Sequence, residues 1–148
     1  MEHGGQSDAA IAAILRDARS VALVGASADP SRPSHGVMAW WLRRGVRVVP
    51  VNPGLAGGTI LGQPVVGRLT DVPGPIDLVD VFRRSDAAGA VTDEALALDP
   101  LPRVIWMQLG VRDDAAAARA EAAGLAVVMD RCPVIEAGRL GPAAAMAR

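Results

Sequence analysis

The sequence predicts an α/β fold, a doubly wound, mainly parallel five-stranded sheet with helices on both faces. Three observations carry this. Five short apolar runs alternate with segments of helical periodicity, the pattern of repeated strand–helix–strand crossovers. The runs are near-continuous rather than alternating, as strands are when helices cover both of their faces. Polar residues and glycines gather where the runs end, while the opposite ends are featureless. The arrangement is Rossmann-like: right-handed crossovers bring all the carboxyl ends to one edge, where such sheets bind ligands.

Taken in order, Met1 to Gln6 reads as a disordered tail, and His3 within it as solvated. Ser7 or Asp8 can cap a helix running to about Arg19, with Ile11, Ile14 and Leu15 on one face. Val21 to Val24 is the first strand, and Gly25 lets the chain turn sharply and a ligand approach the backbone. A polar, proline-bearing loop, Ala28 to Gly36, leads into an amphipathic helical run, Val37 to Gly45. Ser34 is read as its N-cap, so the N–H groups of His35, Gly36 and Val37 would form an anion site facing the crevice.

Val46 to Val51 is the second strand, closed by Asn52-Pro53-Gly54. A glycine-rich stretch follows, with an extended piece at Pro64-Val65-Val66 and a short helix within 67–72. Asp77 to Phe82 is the third strand. Ser85 or Asp86 opens a helix to about Leu98, with Ala90, Val91, Ala95 and Leu98 inward. Arg103 to Gln108 is the fourth strand. Asp113 or Asp114 caps an alanine-rich helix that stops at Gly124. Leu125 to Asp130 is the fifth strand, and Arg131-Cys132-Pro133 enters a last turn or short helix. The division expected is 1–19 tail and packing helix, 20–140 ligand-binding domain, 141–148 frayed tail.

At 148 residues and 51% apolar content the chain can bury one core. A net charge of −1 gives no general attraction to nucleic acid or membrane surfaces, and an aromatic content of 3% argues against stacking platforms for single strands. All 15 basic residues are arginine, which reads as genome composition and excludes the lysine-dependent P-loop. The single cysteine, Cys132, excludes an intrachain disulfide and a multi-cysteine metal site, so no metal is expected. With no long apolar span and no signal sequence, a cytoplasmic protein is expected.

A strand order of 3-2-1-4-5 would put the crevice between the first and fourth strands, with Ser27 facing Gln108-Leu109-Gly110. The ligand question is one of phosphate geometry. A dinucleotide fingerprint needs three glycines, and its positions hold Gly25, Ser27 and Pro30. Its ribose-binding acid is also missing, since the second strand ends in Val51-Asn52. Arg32, Arg83 and Arg84 suit a ligand with more phosphate than one pyrophosphate.

With those residues in view, the chain resembles the small stand-alone CoA-binding proteins, whose fold is similar to the CoA-binding domain of succinyl-CoA synthetase alpha subunits. The matching pieces are Val24-Gly25-Ala26-Ser27 with Arg32 to Val37, Val48 to Pro53, Asp80 to Arg84, Trp106 to Gly110, and Met129 to Pro133. They cover roughly Val21 to Leu140 in the expected order. The resemblance implies coenzyme A, free or acylated, as the ligand. It implies that Ser27 and Ser34-His35-Gly36 hold the diphosphate, and that Val51-Asn52-Pro53 with Phe82-Arg83 enclose the adenosine. Arg83, Arg84 or Arg32 would meet the ribose 3′-phosphate, and Gln108-Leu109-Gly110 would line the pantetheine path. The family often carries lysine after Asn-Pro; Gly54 stands there, so one phosphate contact is missing.

Other residues have structural readings first. One of Trp40 and Trp41 belongs in the core while the other could cover a dimer face; Trp106 reads as sheet core. Asp80 would pair with an arginine or a backbone N–H, and Asp130 would cap the next turn. Cys132 reads as buried, with a disulfide to the CoA thiol as the sharper alternative. No nucleophile–base set or carboxylate pair is evident, so a binding module (carrier, sensor or regulator) is favoured over an enzyme. An NAD(P)-binding redox-sensing domain and a partner subunit of an acyl-CoA-processing enzyme are the alternatives. The expected partners are the small-molecule ligand and either a second copy or another protein.

Overall fold

The structure, a computed structural model, describes residues 5–146. Helix α1 (Asp8–Asp17) precedes strand β1 (Ser20–Val24), helix α2 (Pro33–Arg43) and strand β2 (Arg47–Val51). A small antiparallel hairpin, β3 (Thr59–Ile60) with β4 (Gln63–Pro64), leads to β5 (Leu78–Val81) and α3 (Ser85–Leu96). Strand β6 (Val104–Met107), helix α4 (Asp114–Ala122), strand β7 (Ala126–Val128) and helix α5 (Pro133–Leu140) complete the fold. His3 lies outside the described residues.

Five strands form one parallel sheet in the order β2-β1-β5-β6-β7. Helices α1, α2 and α5 pack on one face, around Ile11, Leu15, Met38, Trp41 and Trp106. Helices α3 and α4 cover the other, around Val79, Val91, Ile105, Ala117 and Val127. The doubly wound α/β architecture is as expected, but the strand order is not. The third main strand sits beside β1, so the order is 2-1-3-4-5 and the switch point lies between β1 and β5. Pro50 supplies the reason: it has no N–H to give a second neighbour, and an edge position for β2 tolerates that. On its outer side β2 meets an isolated parallel bridge from Val66 to Val51, not a further strand of the sheet, among the described residues.

Local corrections follow the same logic. Helix α2 starts at Pro33, because proline at the first helical position has φ pre-set and no donor to waste. Arg32 is therefore the N-cap, and Ser34 is buried inside the first turn. On α3 the inward set is Ala88, Val91, Thr92 and Ala95, one stripe at helical spacing, which leaves Ala90 exposed. Leu98 lies past the helix end. The caps of α1 and α4 are Ser7 and Asp113, whose side chains accept from Ala10 N (3.1 Å) and Ala116 N (2.9 Å).

The segment expected to fray begins with a 3₁₀ turn, Gly141–Ala144, that buries Ala144 against α1. Arg44 ties it down, donating to the carbonyls of Ala144 (2.7 Å) and Leu15 (2.9 Å). At the other end Gln6 donates to the Val127 carbonyl at 3.3 Å. Arg139 joins α5 to α1 through Asp8 (2.8 Å) and holds Glu136 (2.9 Å), which also meets Arg131 (2.7 Å).

Candidate functional site

The carboxyl edge of the sheet is built by side chains that fasten one loop to the next. Gly25 turns the chain at φ +89°, a conformation closed to side chains in practice. Its N–H and that of Ala26 both donate to the Val51 carbonyl, at 3.0 and 3.4 Å. Asn52 completes the clasp: Nδ2 donates to the Ala26 carbonyl and Oδ1 accepts from Gly54 N, each at 2.8 Å. Asn52 is thus a positioning residue for two turns. Asn52→Ala leaves the carbonyl of buried Ala26 without its donor, and a loss of about 2 kcal/mol is expected, seen as a fall in the urea midpoint. An unchanged midpoint would show that the clasp contributes nothing.

On the far side of the edge, Ser85 Oγ donates to the Gly110 carbonyl (3.2 Å) and accepts from Arg112 N (2.9 Å). Asp130 accepts from Gly110 N at 2.7 Å, so it pins the loop after β6 rather than the turn that follows it.

Two cavities open at this edge. The first, about 410 Å³, is bounded by Val24, Gly25, Val51, Asn52 and Pro53, by Gly67-Arg68-Leu69, and by Val91 and Glu94 of α3. The second, about 470 Å³ and mostly apolar, is bounded by Pro33 and Val37 of α2, by Phe82, Arg84 and Cys132, and by Gln108 to Val111. Arg83 borders both. A Cβ placed on Gly25 would lie 3.2 Å from Arg83 Cδ, so the arginine stem runs back over the glycine turn. Arg83 and Arg84 are both exposed, and Arg84 leans on Asp86 at 3.4 Å. The grooves along Asp17, Asp77 and Arg103 lie at the sheet's opposite edge and hold none of the candidate residues.

The structure therefore brings together Gly25, Val51, Asn52, Pro53 and Arg83 on one side, and Phe82, Arg83, Arg84, Gln108, Leu109 and Gly110 on the other. The switch position makes the Gly25 turn face Phe82-Arg83, not Gln108-Gly110 as a 3-2-1-4-5 order requires. Ala26, Ser27, Arg32, Ser34, His35 and Gly36 line neither cavity. Ala26 is buried in the clasp, and Ser27 Oγ accepts from Asp29 N at 3.1 Å, a turn-forming bond. The helix start has fewer free donors than expected: Pro33 has none, Arg32 N bonds the Asp29 carbonyl, and His35 N bonds the Arg32 carbonyl, both at 3.0 Å. Gly36 has nothing within 4 Å of where a Cβ would stand, so space is open above it.

The loop also carries a carboxylate. Ser31 donates to Asp29 from its N–H (2.9 Å) and its hydroxyl (2.8 Å), which holds that carboxyl below its ordinary value, with Arg32 and His35 adding to the effect.

Behind the second cavity lies a buried polar chain. Asp80 is fully buried and accepts from Trp41 Nε1 (3.1 Å) and from Gln108 Nε2 (2.9 Å). Its partners are these two side chains, not an arginine or a backbone N–H. Burial pushes its carboxyl up to about 7, against the pull of the Gln108 and Trp41 hydrogen bonds. Trp106 is sheet core and donates to the Arg131 carbonyl at 2.8 Å. Trp41 is the core member of the tryptophan pair, while Trp40 is partly buried beneath the Arg44 guanidinium, 4.6 Å from the ring centroid. Cys132 is half-buried at the start of α5 and borders the second cavity.

Sequence reasoning missed Val24, Gly67-Arg68-Leu69, Val91, Glu94, Pro33, Val37 and Val111 as walls, and offered Cys132 only as a second reading. Glu94 was within reach, because it stands three residues from inward-facing Val91 and so on the same side of α3. Among the described residues no group of three or more His, Cys, Asp or Glu could hold a metal, and no helix is long and apolar enough to cross a membrane.

Comparison with known proteins gives a consistent result. The family model described as CoA binding domain matches residues 19–138. The uncharacterized protein YneT of Bacillus subtilis (strain 168) is 37% identical over 126 residues, 85% of this chain and 90% of that one. A Thermus thermophilus structure, cell-free ID.343, is 38% identical with a TM-score of 0.85, covering 92% of this chain and all of that one. The dinucleotide-forming acetyl-coenzyme A synthetase 1 of Ca. Korarchaeum cryptofilum shares the fold at 21% identity and a TM-score of 0.67, over 80% of this chain and 27% of that one.

Proposed function

We infer the function from one premise: the chain belongs to the CoA-binding domain family. It binds coenzyme A, free or acylated, and serves as a carrier, sensor or regulator with no chemistry of its own. The observation that carries this is the pair of cavities meeting at Arg83, an elongated site with a cation at its middle. An extended ligand with a nucleotide at one end and a thiol arm at the other fits such a division.

In this reading the adenosine lies beside Val51, Asn52 and Pro53. The diphosphate crosses the Gly25 turn toward Ser27, Ser34, His35 and the open side of Gly36. Arg83, with Arg84 or Arg32, meets the 3′-phosphate. The pantetheine arm follows Phe82 and Gln108-Leu109-Gly110 into the apolar cavity. Gly54 brings no cation to the adenosine side, so Arg83 and Arg68, which border that cavity, carry a larger share of the phosphate charge there.

Thermal shift with CoA, dephospho-CoA, acetyl-CoA and NAD in parallel tests it. Ligand at ~100 times its dissociation constant adds about 2.7 kcal/mol. CoA and acetyl-CoA should raise the melting temperature, dephospho-CoA should do so less, and NAD should have no effect. Arg83→Ala should weaken CoA at least about tenfold, roughly one charge-assisted hydrogen bond, and narrow its advantage over dephospho-CoA. Stabilisation by NAD with none by CoA would overturn the reading in favour of a redox-sensing domain.

A further inference from the structure

We propose that Asp80 decides which atom of the Gln108 amide faces the second cavity, and so whether an amide N–H of the ligand's thiol arm finds an acceptor there. Ionised, Asp80 holds the Gln108 NH2 inward and leaves Oε1 to the ligand; protonated, it turns the amide over and withdraws that acceptor. The inference rests on the CoA reading and deepens it. Its starting point is an open acceptor. Gln108 is 5% exposed, borders the second cavity, and donates through Nε2 to Asp80 Oδ1 at 2.9 Å. Its backbone N–H donates to the Val81 carbonyl, and its own carbonyl accepts from Val111 N. Oε1 has no hydrogen-bond partner among the described residues. The solvent-shielded side-chain atoms without a partner are Arg44 Nε and Glu94 Oε1, so Gln108 Oε1 is unpartnered yet within reach of solvent. The opening beside it is the second cavity, and an acceptor left open on so buried a residue is matched by what enters there. The thiol arm of CoA carries two secondary amides, each with an N–H to give. Pro33, Val37, Phe82 and Val111 of the same wall have no side-chain acceptor to offer them.

The donor and acceptor inventory makes Asp80 the control. Its Oδ2 accepts from Trp41 Nε1 at 3.1 Å, and an indole N–H only donates, so Oδ2 accepts in either protonation state. A proton on the carboxyl therefore sits on Oδ1 and needs an acceptor. Of the two partners only Gln108 has one, so the amide turns over: Oδ1–H donates to Oε1, and Nε2 moves to the cavity side. Burial holds the carboxyl near 7, so both states are populated around neutrality. Beside Asp80 in the sheet stand Leu23 of β1 and Trp106 of β6, neither of which is charged. Of the helices on this face, α2 carries His35 and Arg43, with Arg44 just past its end. Helix α1 carries Arg16 and Asp17, paired with each other, and Asp8, paired with Arg139. Helix α5 carries Arg139 and Glu136, and Arg131 and Cys132 stand just ahead of it. Glu136 pairs with both of those arginines. None of these groups forms a hydrogen bond or ion pair with Asp80, whose carboxyl answers to burial, Gln108 and Trp41. Binding that uses Oε1 draws the ionised state, so affinity rises with pH through this titration.

Isothermal titration of the full chain with CoA at pH 5 and pH 8, on the wild type and D80N, tests this. The D80N side chain accepts from Trp41 and donates to Gln108 Oε1, which fixes the amide in its turned-over state at every pH. The wild type should bind CoA about tenfold more tightly than D80N at pH 8 and within about twofold of it at pH 5. Taking the ratio of the two proteins at each pH cancels the titration of the ligand's own phosphates. A merely structural loss would weaken D80N at both pH values alike. The same ratio at both, or D80N the tighter binder at pH 8, overturns the assignment of Asp80 alone while CoA still binds. Failure of the wild type to bind CoA at either pH overturns the CoA reading and this inference with it. If D80N does not fold, nitrogen-15 NMR of the ligand-free wild type decides. The Gln108 side-chain amide signals should move between pH 5 and pH 8 with one midpoint, shared by the Trp41 indole signal; Gln108 signals that stay in place overturn the proposal.

Discussion

Gly25→Ala is expected to lower the melting temperature by roughly 10 °C and to abolish stabilisation by CoA. Two costs add. The residue holds φ at +89°, where a side chain is strained by about 1–2 kcal/mol. Its Cβ would also run into the Phe82 carbonyl oxygen, with the carbonyl carbon at 2.9 Å. That obstacle is backbone of the loop leaving the central strand β5, so relief requires β1 and β5 to part at their ends. Overpacking of this kind costs about 1–3 kcal/mol. A total near 3 kcal/mol corresponds to roughly 10 °C for a chain of this size. The same movement displaces Arg83, whose stem lies against that turn, so binding fails even below the melting temperature. A variant with native stability and native CoA affinity would show that the turn has another conformation available.

Asp80 sets the second large effect, a loss of stability as pH rises. Its carboxyl titrates near 7 in the folded chain and near 3.8 when exposed. Between those values the folded state holds a proton that the unfolded state releases, so stability falls with increasing pH throughout that window. The full span amounts to about 4 kcal/mol, and the interval from pH 5 to pH 8 to about 3 kcal/mol. Asp80→Asn should remove this slope. Asparagine can accept from Trp41 Nε1 and, with the Gln108 amide turned over, donate to its oxygen, so the buried chain stays satisfied. Urea midpoints of both proteins at pH 5 and pH 8 decide the matter, and parallel curves would assign the titration elsewhere. Asp8 and Glu136 act in the opposite sense, since Arg139 holds both below their ordinary values and their contribution is lost in acid.

The layering was legible because it is local. Continuous runs such as Val21–Val24, caps such as Ser7 and Asp113, and glycine stops each depend on a few neighbouring residues. The strand order was not, since adjacency depends on which long crossover closes, and the one local clue, Pro50 within β2, marks an edge only when weighed against the missing ladder bond. The site divides along the same line. Residues at strand ends, Val51 to Pro53 and Phe82 to Arg84, border the cavities as their positions imply. Ser34 does not act as the cap because Pro33 claims the first helical position, an effect of one neighbour on another. Glu94 and Cys132 border the cavities from elements distant in sequence; helical spacing puts Glu94 on the side of Val91, but which strand ends that side meets depends on the crossovers.

The pairing of α1 with α5 and the closing 3₁₀ turn has a practical consequence for handling the molecule. The first and last described elements, α1 and the closing 3₁₀ turn, lie on the sheet face built by α1, α2 and α5, while the first cavity is bounded by Val91 and Glu94 of α3 on the other. A fluorophore, affinity tag or surface tether joined ahead of α1 or after the 3₁₀ turn follows an element on the face opposite the first cavity. Immobilised protein is therefore expected to keep the first cavity turned toward bulk solution, so that calorimetric and surface-bound assays interrogate the same opening.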